Sequence, residues 1–369
     1  MKCRAHCPRD PVLLPTAAAL FLCVLFALVP VAPVLAGCSV ERAPAGAGAP
    51  FTLHLGQGCS EQEREAQGVS ALDLLAVLKE GRGVDLVGVV VMGDILLDQL
   101  PVQRVETVPN LPPSVQEAIR RQGAQDIRVI AGPMSIRDSV VRGMVGSRIK
   151  DGLVIMNGPV TMAGTTFERA ADFSQTVFAG PVDFSQAVFL NEGFFVGALF
   201  TQAVNFEKTA FGIHTRFHKA HFLGPVTFHR AGFNGLAEFI QVSFEQEAGF
   251  AQTYFKMGTG FSGSRFGGTL DFSEALFERE AFFMFTVFER DAYFRRVTFR
   301  GEANFSDSEF KGLDDFSKAF FNVEPRFARA KISGVPPKAG GLQDPRVLYI
   351  IAAALFAFTL LFVFVLRRG

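Results

Sequence analysis

Residues 266–276 have the sequence Phe-Gly-Gly-Thr-Leu-Asp-Phe-Ser-Glu-Ala-Leu. Phe recurs at alternating gaps of six and five residues. One series runs in steps of eleven from Phe167 to Phe321, and the other runs in the same steps from Phe173 to Phe327. A fixed period of this length predicts a stack of similar coils. Because gaps of six and five do not keep Phe on one side of a helix, we expect short strands and reject a helical supercoil.

Each Phe has a small or apolar residue two positions before it, such as Leu270 before Phe272 and Ala303 before Phe305. Residues two apart point to the same side of an extended backbone, so both should face one interior. The residue between them should face outward, and Ser often follows the second Phe. Asp, Asn and Ser bond to nearby backbone in turns, which suits a chain that bends every few residues. The outward Asp and Asn residues are Asp172, Asp183, Asn205, Asp271, Asn304 and Asp315.

The unit Ala303-Asn304-Phe305-Ser306-Asp307 resembles the repeat of the pentapeptide-repeat family, Ala-(Asp/Asn)-(Leu/Phe)-X-X. An extra residue in every second repeat, seen in Ala170-Ala171-Asp172-Phe173-Ser174, gives units of eleven and resembles the Phe-rich bacterial branch. The resemblance covers about Met156 to Ile332. It implies an all-β fold, a right-handed quadrilateral parallel β-helix over residues 156–333. Four sides of five, six, five and six residues would give a coil of twenty-two.

Residues 70–155 are expected to hold a capping helix and degenerate coils of the same solenoid. Ser70 to Glu80 is predicted to be the helix, because Ser70 can serve as N-cap and the leucines form an apolar stripe. We expect it to cap the solenoid, since an open end of stacked strands needs protection. A second short helix is predicted at Pro113 to Gln122. Strand-like runs lie at Val84 to Ile95 and at Arg128 to Val145. Met156 and Met162 extend the Phe series upstream by one unit.

The two chain ends predict a membrane-tethered protein. Residues 1–37 resemble a bacterial signal peptide, residues 38–69 are expected to be a flexible N-terminal segment, and residues 334–346 a linker. Residues 347–366 form an uncharged apolar run long enough for a transmembrane helix, and the Arg pair after it favours a cytoplasmic C-terminus. The prediction is a single-pass bacterial membrane protein with the solenoid outside the cytoplasm.

The sequence leaves two interpretations of Cys38 and Cys59 open. Leu35-Ala36-Gly37-Cys38 resembles a lipobox, which predicts lipidation at Cys38. The other interpretation is a disulfide between Cys38 and Cys59, the two cysteines left after signal removal, in an oxidising compartment.

The sequence favours no catalytic, cofactor or metal site. The net charge is +0, so no nucleic-acid partner is expected. No phosphate loop, nucleophile elbow or zinc-protease motif is present in the sequence. Four histidines lie close in sequence, His214, His218, His221 and His229, but they do not supply the four ligands of a structural zinc site. The recurring Asp residues are interpreted as turn chemistry.

Apolar residues at outward positions are the remaining feature of the sequence that could indicate a function. Exposed apolar side chains on a solenoid often mark a partner surface, and we expect an unidentified protein partner or the membrane to contact them. The candidates are Tyr254, Leu276, Phe282, Phe285 and Tyr293. The favoured function is a non-enzymatic scaffold or interaction module. The alternatives are a carbohydrate-active β-helix enzyme and a DNA-mimicking topoisomerase-binding protein, a role that some pentapeptide-repeat proteins have.

Overall fold

Short strands that repeat along the chain stack into four sheets, which enclose a core of aromatic rings. The computed structural model describes residues 37–43, 48–108, 111–146, 152–334 and 336–338. From residue 160 onward the coil takes twenty-two residues: Val160 pairs with Val182, and Val182 with Val204, all in parallel. The predicted parallel β-solenoid is therefore confirmed, and its coil has the twenty-two residues that the family resemblance implies.

Two of the sheets hold the first and second side of each coil. Sheet 1 contains Val40–Arg42, Phe51–Leu55, Val84–Val87, Met134–Arg137, Val160–Thr161, Val182–Asp183, Val204–Asn205, Val226–Thr227, Ala248–Gly249, Leu270–Asp271, Ala292–Tyr293 and Asp314–Asp315. Sheet 2 contains Val69–Ser70, Val90–Met92, Val140–Val141, Thr166–Phe167, Val188–Phe189, Ala210–Phe211, Gly232–Phe233, Tyr254–Phe255, Leu276–Phe277, Thr298–Phe299 and Phe320–Phe321.

The other two sheets complete the coil. Sheet 3 contains Ile95–Leu96, Val145–Gly146, Ala171–Asp172, Glu192–Phe194, His214–Arg216, Leu236–Glu238, Thr259–Gly260, Ala281–Phe282 and Ala303–Asn304. Sheet 4 contains Gln103–Arg104, Asp126–Ile130, Leu153–Met156, Thr176–Phe178, Leu199–Phe200, His221–Phe222, Ser243–Phe244, Arg265–Phe266, Val287–Phe288 and Glu309–Phe310. The pairings within these sheets are parallel, except that Val40–Arg42 and Gln103–Arg104 each join antiparallel.

The Phe residues form four inward columns, one behind each sheet. Rings that follow each other in a column are stacked, with centroids from 4.3 to 5.5 Å apart. Rings of neighbouring columns meet edge to face, as Phe217 and Phe228 do at 5.6 Å and 87°. Offset-stacked and edge-to-face pairs are the favoured arrangements of aromatic quadrupoles, so the columns are stabilised both along and across the stack. Met156 and Met162 are buried at the start of two of these columns, as predicted.

Left-handed backbone marks two corners of each coil. A residue with positive φ recurs every eleven positions, two residues after a Phe of the second series, for example Gln186 at 59°, Lys219 at 55° and Phe285 at 56°. Only a minority of these positions hold Gly, although L-residues pay about 1–2 kcal/mol for this conformation. The solenoid therefore bends at corners that the stacked core holds in place.

The first coils deviate from the regular repeat because helices are inserted between their strands. Helix α1 spans Glu61–Ala66, with a capping box formed by Ser60 and Glu63. Helix α2 spans Ala71–Lys79, and Ser70 Oγ accepts a hydrogen bond from the Leu72 N–H at 3.2 Å. Two short 3-10 helices, Leu97–Gln99 and Val105–Thr107, follow. Helix α2 matches the predicted helix, and its buried leucines join the same core as the Phe columns.

Helix α3 spans Pro113–Gln122, as predicted, and ends at Gly123 with φ 64°. It packs Val115 and Ile119 against Ile127 and Leu153 on the outer surface of sheet 4, forming a second hydrophobic cluster. This helix explains why the start of sheet 4 is apolar on both surfaces.

The prediction of a flexible segment over residues 38–69 is wrong for its described part. Phe51–Leu55 is a strand that pairs in parallel with Val84–Val87. Leu53 and Leu55 are buried in the core, so this segment begins the solenoid. The alternation of Phe51, Leu53 and Leu55 is the period-two pattern of a half-buried strand. Residues 44–47, in the Ala-, Gly- and Pro-rich stretch, lie outside the described residues.

Candidate functional site

The outward Asp and Asn side chains are turn elements, as predicted. Asp183 Oδ1 accepts a hydrogen bond from the Ser185 N–H at 2.9 Å, and Asp271 Oδ1 accepts one from the Ser273 N–H at 2.7 Å. Asn205 and the Glu207 N–H repeat the arrangement at 2.9 Å. These bonds hold each side chain upright beside the strand and satisfy a backbone donor at the bend.

The sequence treated the recurring carboxylates as one column, and the structure separates them. Asp172 lies on sheet 3, whereas Asp183, Asp271 and Asp315 lie on sheet 1. The physical reason is that units eleven residues apart occupy opposite sides of a twenty-two-residue coil. Asp183 and Asp271 are four coils apart on one sheet, about 19 Å at the usual strand spacing. Paired glycosidase carboxylates lie within about 9.5 Å, so these two do not form such a pair.

The five predicted partner-surface residues lie on three sheets and one corner. Tyr254 and Leu276 are register neighbours on sheet 2. Phe282 lies on sheet 3 and Tyr293 on sheet 1. Phe285 occupies the corner after Phe282 and is 62% exposed. The structure therefore brings together two pairs, Tyr254 with Leu276 and Phe282 with Phe285, but not all five.

Sheet 2 differs from the other three sheets in its outward residues. Its outward strand positions from residue 188 to residue 320 carry no charge, and we call them the uncharged row: Val188, Ala210, Gly232, Tyr254, Leu276, Thr298 and Phe320. Over the same coils each other sheet carries charged side chains, such as Asp183 on sheet 1, Glu238 on sheet 3 and Arg265 on sheet 4.

Four exposed apolar residues that the sequence reasoning missed lie at the corner between sheets 2 and 3 and at the start of one adjoining sheet 3 strand. Leu190, Ile213, Leu236 and Met257 are 52%, 58%, 40% and 47% exposed. Their spacings of 23, 23 and 21 residues are close to the coil length, not to the eleven-residue unit. Ile213 and Met257 share one register position two coils apart, whereas Leu190 and Leu236 are each offset from it by one residue, so a search at the coil length would have found only that pair. We call these four residues the apolar corner.

Charged residues along the corners of the coil, including the corner between sheets 2 and 3, pair with partners one coil away. Glu278 accepts two hydrogen bonds from Arg300 at 2.8 Å, and Lys311 lies 3.0 Å from Glu289. Hydrogen bonds from Gln252 and Arg296 hold the pKa of Glu274 below its ordinary value. Opposite charges twenty-two residues apart thus form ladders along the stack. Each basic residue in these pairs offsets the charge of an acidic residue on the neighbouring coil.

Two of the four clustered histidines meet on one carboxylate. His214 Nε2 lies 2.8 Å from Glu238 Oε2, and His218 Nε2 lies 3.4 Å from the same oxygen. Burial raises the pKa of Glu238, but hydrogen bonds from His214 and Arg216 outweigh it, so the net shift is downward. His221 instead contacts Glu245 at 3.1 Å. In the part of the chain that the structure describes, no group of three His, Cys, Asp or Glu residues could hold a metal ion.

Of the two interpretations of the cysteines, lipidation of Cys38 or a Cys38–Cys59 disulfide, the structure contains the disulfide. The structure joins Cys38 and Cys59 in a disulfide, and Cys59 is buried in the main core. The bridge ties the chain before the first sheet 1 strands to the residues just ahead of α1.

The fold and its outward rows define the class of protein: a Phe-cored parallel β-solenoid with Asx-type bends and coil-to-coil charge ladders. A family model described as pentapeptide repeats (9 copies) matches residues 163–210 and 272–319. These two segments match the pentapeptide-repeat family, in agreement with the Phe columns of the fold. No curated protein and no solved structure matches the chain.

Within the described ranges, no helix is both long enough and apolar enough to cross a membrane. The predicted transmembrane segment at 347–366 lies outside those ranges, as do residues 1–36 of the predicted signal peptide.

Proposed function

We propose that this protein is a non-enzymatic, membrane-anchored scaffold of a bacterial envelope, which binds a partner protein through sheet 2 of its solenoid. The anchor would be the apolar run at 347–366, with the C-terminus in the cytoplasm and the solenoid outside it.

The observation that carries the proposal is the uncharged row. Tyr254 and Leu276 are register neighbours, and Phe320 follows Thr298 further along the same sheet. The apolar corner adds four more exposed side chains beside it. Interface centres are depleted of charge and enriched in aromatic residues. Sheet 2 therefore has the composition of a binding surface, while the other sheets have that of a solvated one.

The stack is suited to a scaffold because its surface is rigid. Most ring members of the columns are fully buried, and the backbone groups pair from coil to coil. Helix α2 would cap the N-terminal end, since its leucines cover the first coils. A surface held this way loses little conformational entropy when a partner binds.

The extracytoplasmic location rests on the sequence and is consistent with the disulfide. Cys38 and Cys59 are bonded, and disulfides persist mainly in oxidising compartments. Protease added to intact cells or spheroplasts should cleave the solenoid if it lies outside the cytoplasm. Protection until the inner membrane is opened would refute this topology.

Two other functions are less well supported. A DNA mimic needs a surface with strong negative charge, whereas here acidic residues such as Glu278 and Asp307 are paired with arginines. A carbohydrate-active enzyme needs two carboxylates within reach of one bond. Asp183 and Asp271 are four coils apart, and Tyr293 lies in register between Asp271 and Asp315.

The partner surface is tested by photo-crosslinking in native membranes. A photoreactive residue at Thr298, in the uncharged row, should capture a specific protein, and the same residue at Thr227 on sheet 1 should not. Replacing Tyr254 and Leu276 by Ser should abolish the capture without changing the circular dichroism spectrum. Loss of capture only when Phe282 and Phe285 are replaced would move the partner to the corner after sheet 3 and overturn the assignment to sheet 2.

A further inference from the structure

A groove runs along the outside of sheet 1, on a different side of the coil from the uncharged row. Its volume is about 810 Å³, which lies within the usual range of ligand sites. It extends from Pro159 to Tyr293 and so crosses seven coils. Six steps at the strand spacing make it about 29 Å long. The site is an extended channel, open to solvent along its length.

The floor of the groove is built from small outward residues, one for each coil. They are Thr161, Asp183, Asn205, Thr227, Gly249 and Asp271. Prolines at the edge, Pro159, Pro181 and Pro225, add an apolar rim. Asp271 pairs in register with Tyr293, the first large side chain in the row, which ends the groove. Arg295 lies 4.1 Å from the centre of the Tyr293 ring and supports it there.

Recognition in this groove must come from side chains. The sheet 1 backbone is paired from coil to coil: the Val182 N–H donates to the Ala203 carbonyl at 3.1 Å, and the Phe184 N–H to the Asn205 carbonyl at 2.8 Å. An extended peptide that binds by strand addition needs an unpaired sheet edge, and the middle of sheet 1 offers none. This observation argues against a peptide ligand.

The floor side chains are already oriented for a ligand. One oxygen of Asp183 and the amide oxygen of Asn205 accept backbone hydrogen bonds that hold the side chains in place. Among the described residues, the other carboxylate oxygen of Asp183 and the amide nitrogen of Asn205 have no recorded hydrogen bond. The row therefore presents acceptors and a donor at intervals of about 4.8 Å.

The charge of the groove excludes polyanions. Its lining includes Asp183, Glu247 and Asp271, and none of the described lining residues is Lys or Arg. Nucleic acids and acidic polysaccharides would be repelled, because nothing there neutralises their charge.

We infer that this groove binds a neutral, extended, β-linked oligosaccharide of about six sugars. Sugar hydroxyls both donate and accept hydrogen bonds, which matches a row of carboxylate, amide and hydroxyl groups. The apolar faces of the rings fit the proline rim and Tyr293. A β-linked hexose advances its chain by nearly the height of one coil, so each sugar meets one floor residue. Because this site lies on sheet 1, the inference is independent of the partner proposed for sheet 2.

The test uses one substitution at two matched glycines. Gly249 lies on the groove floor, and an added Cβ there comes no closer than 3.6 Å to Thr227 Oγ1. Gly232 occupies the equivalent outward strand position on sheet 2, with nothing within 4 Å of an added Cβ. Gly249→Gln should fill the groove, and Gly232→Gln should leave it open. Both variants should retain the wild-type circular dichroism spectrum.

The probes are cellohexaose and chitohexaose, titrated by calorimetry into the full-length chain in a sugar-free detergent. At least one hexasaccharide should bind, the corresponding tetrasaccharide should bind more weakly, and the disaccharide should bind least. Gly249→Gln should weaken hexasaccharide binding at least tenfold, with Gly232→Gln within twofold of wild type. Absence of binding by both hexasaccharides, an equal effect of the two substitutions, or binding of a proline-rich peptide at the groove would each overturn the inference.

Discussion

The stacking of the Phe columns can be tested with one pair of substitutions in a single column. Phe167 and Phe189 are both buried behind sheet 2. Phe167 is the first ring of its column: it stacks on Phe189 at 4.8 Å, and its register neighbour on the other side is Val141. Phe189 stacks on both Phe167 and Phe211, the second at 5.2 Å and 9°. Phe189 therefore contacts two rings that have no counterpart at Phe167: the stacked ring of Phe211, and the ring of Phe195, edge to face at 6.2 Å and 77°.

The expected magnitudes follow from the number of stacked pairs. An aromatic pair contributes about 0.5–1.5 kcal/mol beyond its buried area. Phe167→Leu removes one stacked pair, and Phe189→Leu removes two. Phe189→Leu also removes the edge-to-face pair with Phe195. Since the change in side-chain volume is the same, we expect Phe189→Leu to lower the free energy of unfolding by about 1–3 kcal/mol more than Phe167→Leu.

The measurement is urea unfolding of the full-length chain, followed by far-UV circular dichroism and analysed by linear extrapolation at equal slopes. Long repeat arrays can unfold in parts, so hydrogen exchange of the coils around both sites should accompany it. If Phe189→Leu costs no more than Phe167→Leu, ring stacking adds nothing to burial, and the account of the core given above is wrong.

Three further predictions address the corners, the acidic residues and the disulfide. Lys219→Gly should stabilise the protein by about 0.5–1 kcal/mol because φ at Lys219 is 55°, whereas Lys256→Gly, in a strand-like position, should not; thermal unfolding of both variants decides this. The pKa of Glu238 is lowered in the folded state, so its contribution to stability is complete above the unfolded pKa of about 4.3 and is lost as pH falls through the folded pKa; Glu238→Gln should lose less stability than wild type between pH 6 and pH 3. Replacing Cys38 and Cys59 by Ser should remove about 3 kcal/mol, given a separation of 21 residues, and hydrogen exchange should place the loss in the first coil; a loss spread evenly over all coils would contradict this.

The core and the inserted helices could be predicted because local rules decide them. The recurrence of Phe predicts columns whatever the direction of each coil, and Ser70 ahead of a leucine stripe predicts α2 to within a residue of its bounds. Helix α3 could also be predicted from the sequence, because it begins at Pro113 and ends before Gly123. The strand at Phe51–Leu55 was missed because the Ala-, Gly- and Pro-rich stretch before it suggested disorder, although the alternation of apolar residues was present.

The grouping of outward residues on the surface could not be predicted from the eleven-residue unit. Phe282 and Tyr293 occupy the same place in successive eleven-residue units, yet they lie on sheets 3 and 1. Two units make one coil, so register neighbours are twenty-two residues apart. The members of the apolar corner, which are 21 to 23 residues apart, come close only because the coils stack. The groove is likewise a property of six small residues that are far apart in sequence and become a continuous floor only after the coils stack.

The spacing of Phe along the chain is enough to predict buried columns of aromatic rings behind short strands, because side-chain direction along an extended backbone follows from position alone. The stacking of the coils is needed to establish which outward residues share a side, where charges form ladders, and where a groove opens. Those features depend on how many residues close one coil, and that number is set by the left-handed corners and by the packing of one coil on the next.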